Sequence, residues 1–568
     1  MDERRRQVDS IRARSSELEN HLVDEYSAGR ITRREFIRRG TVVGMSIPVL
    51  SFLAAACGGD GNGGSATGTS PSGTTGGSAA KKGGALRTAI IGPSAAVDPF
   101  KVADEGGLAV LGQAGEYLTW SDENLELQPR IAESWEPNED GSVWTIKIRQ
   151  GVTFHDGATL TAEDVATTLN THADPDNGSP GLSALSGTLS KGGAKAVDES
   201  TVEFTLDAPN GNFPYLVSSD NYNVIILPAN HDYGSNYEQS FNGTGPWRLD
   251  NFRQGNGVTY VRNEEYWDPE RTALADTSEL RFLDEEQARV LALQGGEVEV
   301  VTNFTATGGA ALLSDSNIQV LEIESVEHRQ IHMRTDKEPF TDARARQALA
   351  LTLDRQAIID GLFEGKASLG NDSPFAPAFP STDTNVPQRE QNLEEAKQLL
   401  ADAGVEGATV ELRTWDGVEI PDLAQLVQQF AEEIGLNIKL SITDAGTYYG
   451  DAVYGKSPWL DSTLGITDYG HRGVPNVYLT AALASKGPWN SAHFKNEEYD
   501  RLVQEYVRAL DLDSQRQIAG QIQQLLLDET PVIFPYFFTR LAGHLTTVTG
   551  VEVTGMGHVD LAKAGFSA

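Results

Sequence analysis

Four short runs between Leu127 and Val165 decide the fold: LQPRIAESWE (127–136), EDGSVWT (139–145), FHDG (154–157) and LTAEDV (160–165). Gly141 and Gly157 suit turns between strands, and Ser142 to Arg149 has the composition of a β-strand. Thr161, with acidic residues in the turn that follows, predicts the N-cap of a helix running toward Asn170. The region therefore combines short strands with a helix.

The same alternation continues along the chain. Thr201 to Leu206 is a further β-type segment, and Asn392 predicts the start of a helix over 393–403 that stops at Gly404. The longest helical pattern predicts one helix from Asp342 to about Gly361. Together these signals predict a mixed α/β protein.

Length and charge restrict the class of protein. The 568 residues exceed the roughly 250 to 300 at which single cores divide, so two or more lobes are expected. The net charge of −36 repels phosphate backbones and anionic lipid headgroups, which argues against a nucleic-acid partner. It favours solubility outside a cell, with a salt-adapted host as the alternative explanation.

The N-terminal region has the layout of an export signal. Arg33 and Arg34 form a basic pair, residues 41–56 are uncharged, and Cys57, the only cysteine, follows small residues. The uncharged stretch is shorter than the roughly 20 apolar residues of a membrane-spanning helix. Residues 1–56 resemble a twin-arginine lipoprotein signal, in which the cysteine is acylated and becomes the new N-terminus. An uncleaved anchor or a buried free thiol is the alternative.

Residues 57–85 are predicted to form a flexible tether. They are rich in Gly, Ser and Thr, and they lack the apolar side chains whose burial would offset the entropy of ordering. A coil of this composition spans about 30 Å. Acylated at Cys57, the tether would hold a folded body clear of the outer face of the cell membrane.

The motif blocks resemble the family 5 extracellular solute-binding proteins, which are the oligopeptide-, dipeptide- and nickel-type receptors of ABC importers. Besides the four opening runs, the matching blocks are GTGPW (243–247), RNEEYW (262–267), PFTDARARQAL (339–349) and NSAHF (490–494). The resemblance spans essentially all of the chain after the tether.

This resemblance implies a two-lobed periplasmic-binding-protein-like fold of class II, with an extra subdomain in the first lobe. Lobe I would comprise residues 86–116, 233–326 and 538–568. The extra subdomain would comprise 117–232, and lobe II would comprise 327–537. A solute would bind between the two lobes.

The resemblance also suggests ligand contacts. Peptide-binding members use an Asp-Tyr pair ahead of the Asn-x-Ala-His block to accept the ligand's α-amino group, and the matching pair here is Asp468 and Tyr469. An ammonium group supplies the cation that a buried carboxylate needs. Capping of a turn by Asp468, or an ion pair with Arg472, is the alternative. Asn303 resembles a cleft position whose amide would bind an extended backbone, with a loop-stabilising role as the alternative.

Further candidates are charged or aromatic. Arg472 would bind a carboxylate through its planar guanidinium, unless a salt bridge neutralises it. The aromatic candidates are Trp415, Tyr448, Tyr536 and Phe537. Aromatic walls serve peptides and sugars alike. Peptide-binding members carry a tryptophan where this chain has Ala445, which implies a different or larger pocket.

Sequence patterns of catalytic and metal sites are missing. The chain has no Gly-x-Ser-x-Gly elbow and no His-Glu-x-x-His, and a single cysteine excludes a Cys-rich zinc site. His328 and His332 fall in a segment, 325–333, that alternates like a strand and so separates them by about 13 Å. No enzymatic activity, no cofactor and no bound metal are therefore expected.

The predicted function is the capture of a small solute, most simply a dipeptide or oligopeptide, for delivery to the permease and ATPase of an ABC importer. An oligosaccharide or a metal chelate is the alternative ligand. A sensor or chaperone of the same fold is the alternative role, and a secreted hydrolase ranks last. The protein is expected to be a monomer outside the cytoplasm, anchored to the membrane by lipid.

Overall fold

A computed structural model describes residues 81–232 and 238–567 of the chain. The predicted signal with Arg33 and Arg34, the predicted lipidation site Cys57 and most of the predicted tether lie outside the described residues. Within the described residues, no helix combines the length and the apolar composition needed to cross a membrane.

The described residues form 22 strands. In chain order they are β1 Ala85–Ile90, β2 Thr119–Ser121, β3 Leu127–Pro129, β4 Ala132–Pro137, β5 Val143–Ile148, β6 Ala194–Asp198, β7 Thr201–Thr205, β8 Trp247–Arg253, β9 Gly257–Arg262, β10 Thr277–Phe282, β11 Val300–Phe304, β12 Ile318–Met333, β13 Ala367–Leu369, β14 Thr409–Trp415, β15 Asn437–Thr443, β16 Leu464–Tyr469, β17 Val532–Ile533, β18 Tyr536–Leu545, β19 Val548–Thr549, β20 Glu552–Val553, β21 Val559–Asp560 and β22 Gly565–Phe566.

The same residues form 14 α-helices, a 3₁₀ turn at Pro175–Asn177 and a π-helix at Tyr478–Leu483. The α-helices are α1 Glu105–Ala114, α2 Ala162–His172, α3 Leu182–Leu185, α4 Phe213–Leu216, α5 Glu286–Gln294, α6 Ala310–Leu313, α7 Ala343–Thr352, α8 Arg355–Phe363, α9 Leu393–Asp402, α10 Ile420–Glu432, α11 Ala445–Tyr449, α12 Pro458–Asp461, α13 Glu497–Arg508 and α14 Leu512–Glu529.

The main sheet has 12 strands and a mixed topology. Its path runs β15-β14-β16-β12-β18-β11-β1-β10-β9-β8, with β13 paired to β18 and β17 paired to β12. We call β14, β15 and β16 the second half of this sheet, and β1 with β8 to β11 the first half. β14 is parallel to both β15 and β16, and β1 is parallel to both β10 and β11.

The long strands β12 and β18 join the two halves. They pair from Ile318 with Leu545 to Glu324 with Thr539, and after a register shift they pair again at His328 with Phe537. Beyond the shift β12 pairs with β16, whereas the other end of β18 pairs with β11. Residues 325–327 therefore mark the crossing between the halves.

A separate antiparallel sheet, β4-β5-β7-β6, lies within residues 117–232. Leu86 of β1 and Val202 of β7 belong to one buried apolar cluster, so the small sheet packs with the first half. The second half has its own core, in which Leu349 of α7, Val427 of α10 and Ile466 of β16 are fully buried.

Local sequence signals explain several element boundaries. The Thr161 N–H donates to the Asp164 carboxylate at 2.7 Å at the start of α2, as the sequence predicted. Asn392 caps α9 by accepting from the Glu395 N–H at 3.2 Å, and Gly404 follows that helix with φ +71°. The strand predicted around His328 and His332 is confirmed as part of β12.

The prediction of a single helix from Asp342 to Gly361 is wrong. α7 ends at Thr352, Leu353 is extended (φ −76°, ψ 118°), and α8 begins at Arg355. The Asp354 side chain accepts from the Ala357 N–H at 2.9 Å. An aspartate that caps a new helix ends the previous one, although the apolar periodicity continues across the break.

Candidate functional site

Three parallel strands of the second half end at one edge of the sheet. β14 ends at Trp415, β15 at Thr443 and β16 at Tyr469, and the strand register pairs Trp415 with Thr443. In open α/β sheets, ligands bind at the carboxyl ends of parallel strands. The candidate ligand site therefore lies among the side chains at this edge.

Asp468 is a half-buried residue at the end of β16. Its Oδ1 accepts hydrogen bonds from Trp415 Nε1 at 3.1 Å and from the Tyr449 hydroxyl. Both donors are neutral. Among residues 81–232 and 238–567, no ion pair within 4.0 Å involves Asp468, so the alternative pairing with Arg472 is absent there.

Tyr449 fixes the orientation of this carboxylate. Its hydroxyl also lies 3.1 Å from Thr467 Oγ1, and its ring contacts Trp459 at 5.4 Å between centroids. Burial, followed by the charge of Asp468, raises the pKa of Tyr449, so its hydroxyl stays protonated and donates. The hydrogen bonds from Tyr449 and Trp415 both go to Oδ1 of Asp468.

Arg329 of β12 is the strand partner of Asp468, but its charge is committed elsewhere. Its Nε lies 2.7 Å from Glu419 Oε1, and its Nη1 lies 3.3 Å from Glu327 Oε1. Burial opposes the charged form, but the charges of Glu419 and other neighbours, Asp468 among them, outweigh it and raise the pKa of Arg329. Its guanidinium also covers the Phe538 ring at 4.4 Å.

A second polar cluster lies on the first half of the sheet. Glu105, at the start of α1, accepts from Asn303 Nδ2 at 3.1 Å and pairs with Arg540 Nη1 at 2.7 Å. Burial lowers the pKa of Arg540, but the charges of Glu105 and Glu327 outweigh it. Glu327, at the crossing, thus pairs with Arg329, and its charge also favours the charged form of Arg540. Asn303, predicted as a ligand contact, here binds an internal carboxylate.

The segment after Asp468 reaches the crossing itself. The Val326 N–H donates to His471 Nδ1 at 3.2 Å, and burial lowers the pKa of His471 to about 3, so the imidazole is neutral. Arg472 Nη1 donates to the His471 carbonyl at 2.7 Å. In the described part of the chain, no carboxylate lies within 4.0 Å of this half-buried guanidinium.

Three predicted aromatic contacts are core residues in this structure. Tyr448 and Tyr536 are fully buried, and Phe537 is 1 % exposed. Tyr536 and Phe537 pack into two different apolar clusters, because both faces of β18 are covered at this point, and Tyr448 of α11 packs into the same cluster as Phe537. Tyr469 is also buried, while Phe538 is the half-exposed member of the 536–538 run. As placed here, Tyr448, Tyr536 and Phe537 offer no surface to a ligand. The aromatic side chains at the site are instead Trp415, Tyr449 and Phe538.

Sequence reasoning missed Arg329, Glu419 and Tyr449. Glu419 also accepts from the Tyr536 hydroxyl at 2.9 Å. Arg329 and Glu419 are 90 positions apart in the chain, so only the folded structure brings them together. One available signal was the aromatic pair 448–449, because a helix that buries Tyr448 turns its neighbour toward another face.

The positions of their histidines and carboxylates decide whether the described residues could hold a metal ion. They contain no group of three or more His, Cys, Asp or Glu side chains arranged to hold a metal ion. His328 and His332 are buried, and burial lowers the pKa of each to about 3. Both histidines are therefore neutral core residues.

Sequence comparisons relate the chain to known proteins. The family model described as "Bacterial extracellular solute-binding proteins, family 5 Middle" matches residues 126–471, more than half of the chain. The oligopeptide-binding protein AppA of Bacillus subtilis (strain 168) is 26% identical over 487 residues, which cover 80% of this chain and 87% of AppA. The heme-binding protein A of Haemophilus influenzae is 26% identical over 450 residues, covering 72% and 79% of the two chains.

A solved structure has the same fold. HbpA2 from Haemophilus parasuis is 23% identical and superimposes with a TM-score of 0.75, covering 85% of this chain and 100% of that one. The predicted α/β class and the periplasmic-binding-protein-like fold are confirmed by this match.

Proposed function

The chain belongs to the family 5 bacterial extracellular solute-binding proteins, and from this premise we propose that it captures a solute with a free amine, most simply a dipeptide or oligopeptide. It is a binding protein and not an enzyme. The captured solute is passed to the permease of an ABC importer. The named ligands of the two relatives, an oligopeptide and heme, differ, and the residues at the edge of the sheet favour one ligand class.

The observation that carries the proposal is the Asp468 carboxylate. Its Oδ1 is held by neutral donors, and no cation of the described residues pairs with it. A partly buried charge without a counter-ion is unfavourable. A ligand ammonium carries three N–H donors and a positive charge, so it satisfies this carboxylate in a way that a neutral sugar cannot.

Arg472 supports a zwitterionic ligand. It lies four positions after Asp468, and its guanidinium has one hydrogen bond with the described residues, to the His471 carbonyl. An open carboxylate and an open guanidinium on one segment match the amine and the carboxylate of a short peptide. A metal chelate and an oligosaccharide rank below a peptide for this reason.

We propose, from the sheet topology, the same lobe boundaries that the sequence predicts. The crossing at 325–327 supports the division between lobe I and lobe II, and the separate small sheet supports the extra subdomain 117–232. The ligand would then lie between Asp468 on one side and the cluster of Glu105, Asn303 and Arg540 on the other.

Lipid anchoring at Cys57 is proposed from the sequence. Export through the paired arginines and acylation of the cysteine would place the binding protein beside its permease. In cell fractionation, Cys57→Ala is expected to appear in the soluble extracytoplasmic fraction, and replacement of both Arg33 and Arg34 by lysine should retain the protein in the cytoplasm. A Cys57→Ala protein that still sediments with membranes would contradict the anchor.

The ligand class is tested by mass spectrometry of co-purifying ligands, followed by a thermal-shift panel of tripeptides, N-acetylated tripeptides, oligosaccharides and metal chelates. Binding stabilises the folded state by mass action, so a true ligand raises Tm with its concentration. We expect free-amine tripeptides to raise Tm and N-acetylated forms to have little effect. An oligosaccharide that raises Tm more than any free-amine compound would overturn the peptide assignment.

A further inference from the structure

The region 117–232 contacts both halves of the main sheet. Its small sheet shares an apolar cluster with β1 of the first half. It also reaches the side of β16, because Leu125, in the turn between β2 and β3, is 4 % exposed and lies in the apolar cluster of Tyr469. Conversely, Val474, which follows β16 in the chain, lies in the cluster of the first half. Each side therefore buries one apolar residue in the core of the other.

Leu125 adopts a strained backbone conformation at this contact. Its φ of 56° lies in the left-handed region, which residues other than glycine seldom adopt. The Asp122 carboxylate closes the turn by accepting from the N–H groups of Asn124 and Glu126 at 2.9 and 3.0 Å. The Tyr215 hydroxyl donates to the Leu125 carbonyl at 2.8 Å. Such strain persists only where the surroundings impose it, and here the turn holds the leucine in the conformation in which it is buried.

The Asn212 side chain supplies the hydrogen bonds of the same contact. Its Nδ2 donates to Asn476 Oδ1 at 2.9 Å, and its Oδ1 accepts from Gln515 Nε2 at 3.0 Å. Asn212 and Asn476 are 264 positions apart, and all three side chains are buried. The contact therefore joins distant parts of the chain through neutral amide groups.

The two backbones also meet next to Asn212. The Gly211 N–H donates at 2.8 Å to the carbonyl of Val507 in α13. A Cβ added to Gly211 would lie 2.0 Å from the carbonyl oxygen of Ala509. Because glycine has no side chain, it permits this close approach. A larger residue at position 211 would force the two backbones apart.

Two polar atoms at the contact have no hydrogen-bond partner among the described residues. They are Asp220 Oδ2 and Asn476 Nδ2, and both are buried. Asp220 Oδ2 lies against Gly473, where an added Cβ would be 1.7 Å from it. Separation of the two sides would give both atoms access to water, but it would also expose Leu125 and Val474. Because these contributions oppose each other, the contact is suited to opening and closing.

We propose that Leu125, Asn212 and Asp220 form a latch between the halves of the main sheet, which closes on residues 473–476 when the halves come together and opens when they separate. Residues 473–476 directly follow Arg472, so the latch also positions the segment that carries this proposed ligand contact. Opening of the latch lowers the population of the binding-competent arrangement and therefore lowers the measured affinity. The latch goes beyond the proposed function, because it does not depend on the class of ligand.

The test measures the distance between nitroxide labels at Glu163→Cys on α2 and Gln425→Cys on α10 by pulsed electron resonance. Both positions are exposed, and the mature protein carries Cys57→Ser so that only the two new cysteines are labelled. We expect a short-distance and a long-distance population. Asn212→Ala should lower the short-to-long ratio about fivefold, because the hydrogen bonds that favour closing are lost. Asn476→Ala combined with Asn212→Ala should lower it no further, because the two replacements remove the same bond.

Gly211→Ala should lower the ratio more than Asn212→Ala, because its Cβ would meet the Ala509 carbonyl. Asn170→Ala is the matched control. The Asn170 side chain donates to the Ala194 carbonyl and accepts from the Gly192 N–H, both at 2.8 Å and both within the region 117–232, so its replacement should leave the ratio unchanged.

The latch is overturned if the labelled protein has no short-distance population, or if Asn212→Ala and Gly211→Ala both keep its ratio. Trialanine, added to the labelled protein, should raise the ratio if the proposed function is right. If the two variants lower the ratio and trialanine does not raise it, the latch is supported and the peptide assignment is contradicted.

Discussion

Asp468 and Glu105 are carboxylates on opposite halves of the main sheet, and their partners differ in charge. Glu105 pairs with Arg540 at 2.7 Å and accepts from Asn303 at 3.1 Å. Among the described side chains, Asp468 accepts from the neutral Trp415 and Tyr449. Glu105 therefore has a cationic partner within hydrogen-bond distance, and Asp468 has none among the described residues.

This difference predicts that one half of the sheet recognises the ligand and that the other half contacts it after the two halves come together. On the proposed function, the first half, in which Arg540 neutralises Glu105, would add hydrogen bonds to a ligand that the second half already holds. The second half carries the unmet charge and is expected to bind the ligand first. Any cost of bringing the halves together then lowers the measured affinity without changing which ligand is preferred.

The largest change, a loss of folding stability, is expected when the second half loses the buried cation Arg329. Arg329→Met leaves Glu419 without its partner while Asp468 keeps both of its donors. Removing one member of a buried ion pair destabilises by about 3 to 5 kcal/mol, which urea unfolding followed by circular dichroism would measure. Arg413→Met is the control, because the ion pair of Arg413 with Glu411 is exposed and is worth about 0 to 1 kcal/mol. Equal losses for the two variants would contradict the arrangement described here.

Asp220 sharpens the comparison as an unpaired carboxylate that is enclosed. Its Oδ2 is buried without a hydrogen-bond partner, and a Cβ added to Gly473 would lie 1.7 Å from it. Burial raises the pKa of Asp220 to about 7. Below about pH 7 this carboxyl therefore keeps its proton, whereas Asp468 is held by the two neutral donors Trp415 and Tyr449.

The contribution of Asp220 to folding stability is expected to fall as the pH rises. Because the folded pKa is raised, the stabilising contribution of the protonated carboxyl is complete below about pH 4 and is lost as the pH rises through about 7. Asp220→Asn is neutral at every pH, so it should gain about 1 to 3 kcal/mol relative to the wild type between pH 4 and pH 8. Thermal unfolding over this range measures the gain. A constant difference between the two proteins would refute the enclosed carboxyl.

The smallest change is expected in ligand affinity when Glu105 is replaced. Glu105→Gln still accepts from Asn303 and Arg540 but carries no charge. Because Arg540 already neutralises Glu105, the affinity for a free-amine tripeptide should change by less than about threefold. Titration calorimetry measures this change. A loss as large as that caused by neutralising Asp468 would show that both carboxylates contact the amine, and the comparison above would fail.

Elements whose formation depends on adjacent residues could be predicted from the sequence. The caps at Thr161 and Asn392 and the strand around His328 each depend on a few adjacent residues, and each is found in the structure. The break between α7 and α8 was missed because apolar periodicity continues across Leu353 and Asp354. A capping aspartate inside a periodic run is the signal that would have found it.

The surroundings of the site could not be predicted in the same way. The motif located Asp468, but its partners Trp415 and Tyr449 come from other parts of the chain, and the pairing of Arg329 with Glu419 bridges 90 positions. Tyr536 and Phe537 were predicted as aromatic ligand contacts. They are both buried because β18 is covered on both faces, which alternation along one strand cannot indicate.

The most direct test of the central claim measures how much N-acetylation of a tripeptide weakens its binding to the wild-type protein and to Asp468→Asn. Asparagine keeps the shape and the acceptor atom that Trp415 and Tyr449 hold, and acetylation removes the ligand's charge. We predict that acetylation weakens binding to the wild-type protein by at least about tenfold, and by less than about twofold in Asp468→Asn. Asp513→Asn, at an exposed position, should respond like the wild type. Equal losses on acetylation in the wild-type and Asp468→Asn proteins would contradict the assignment of Asp468 as the amine contact.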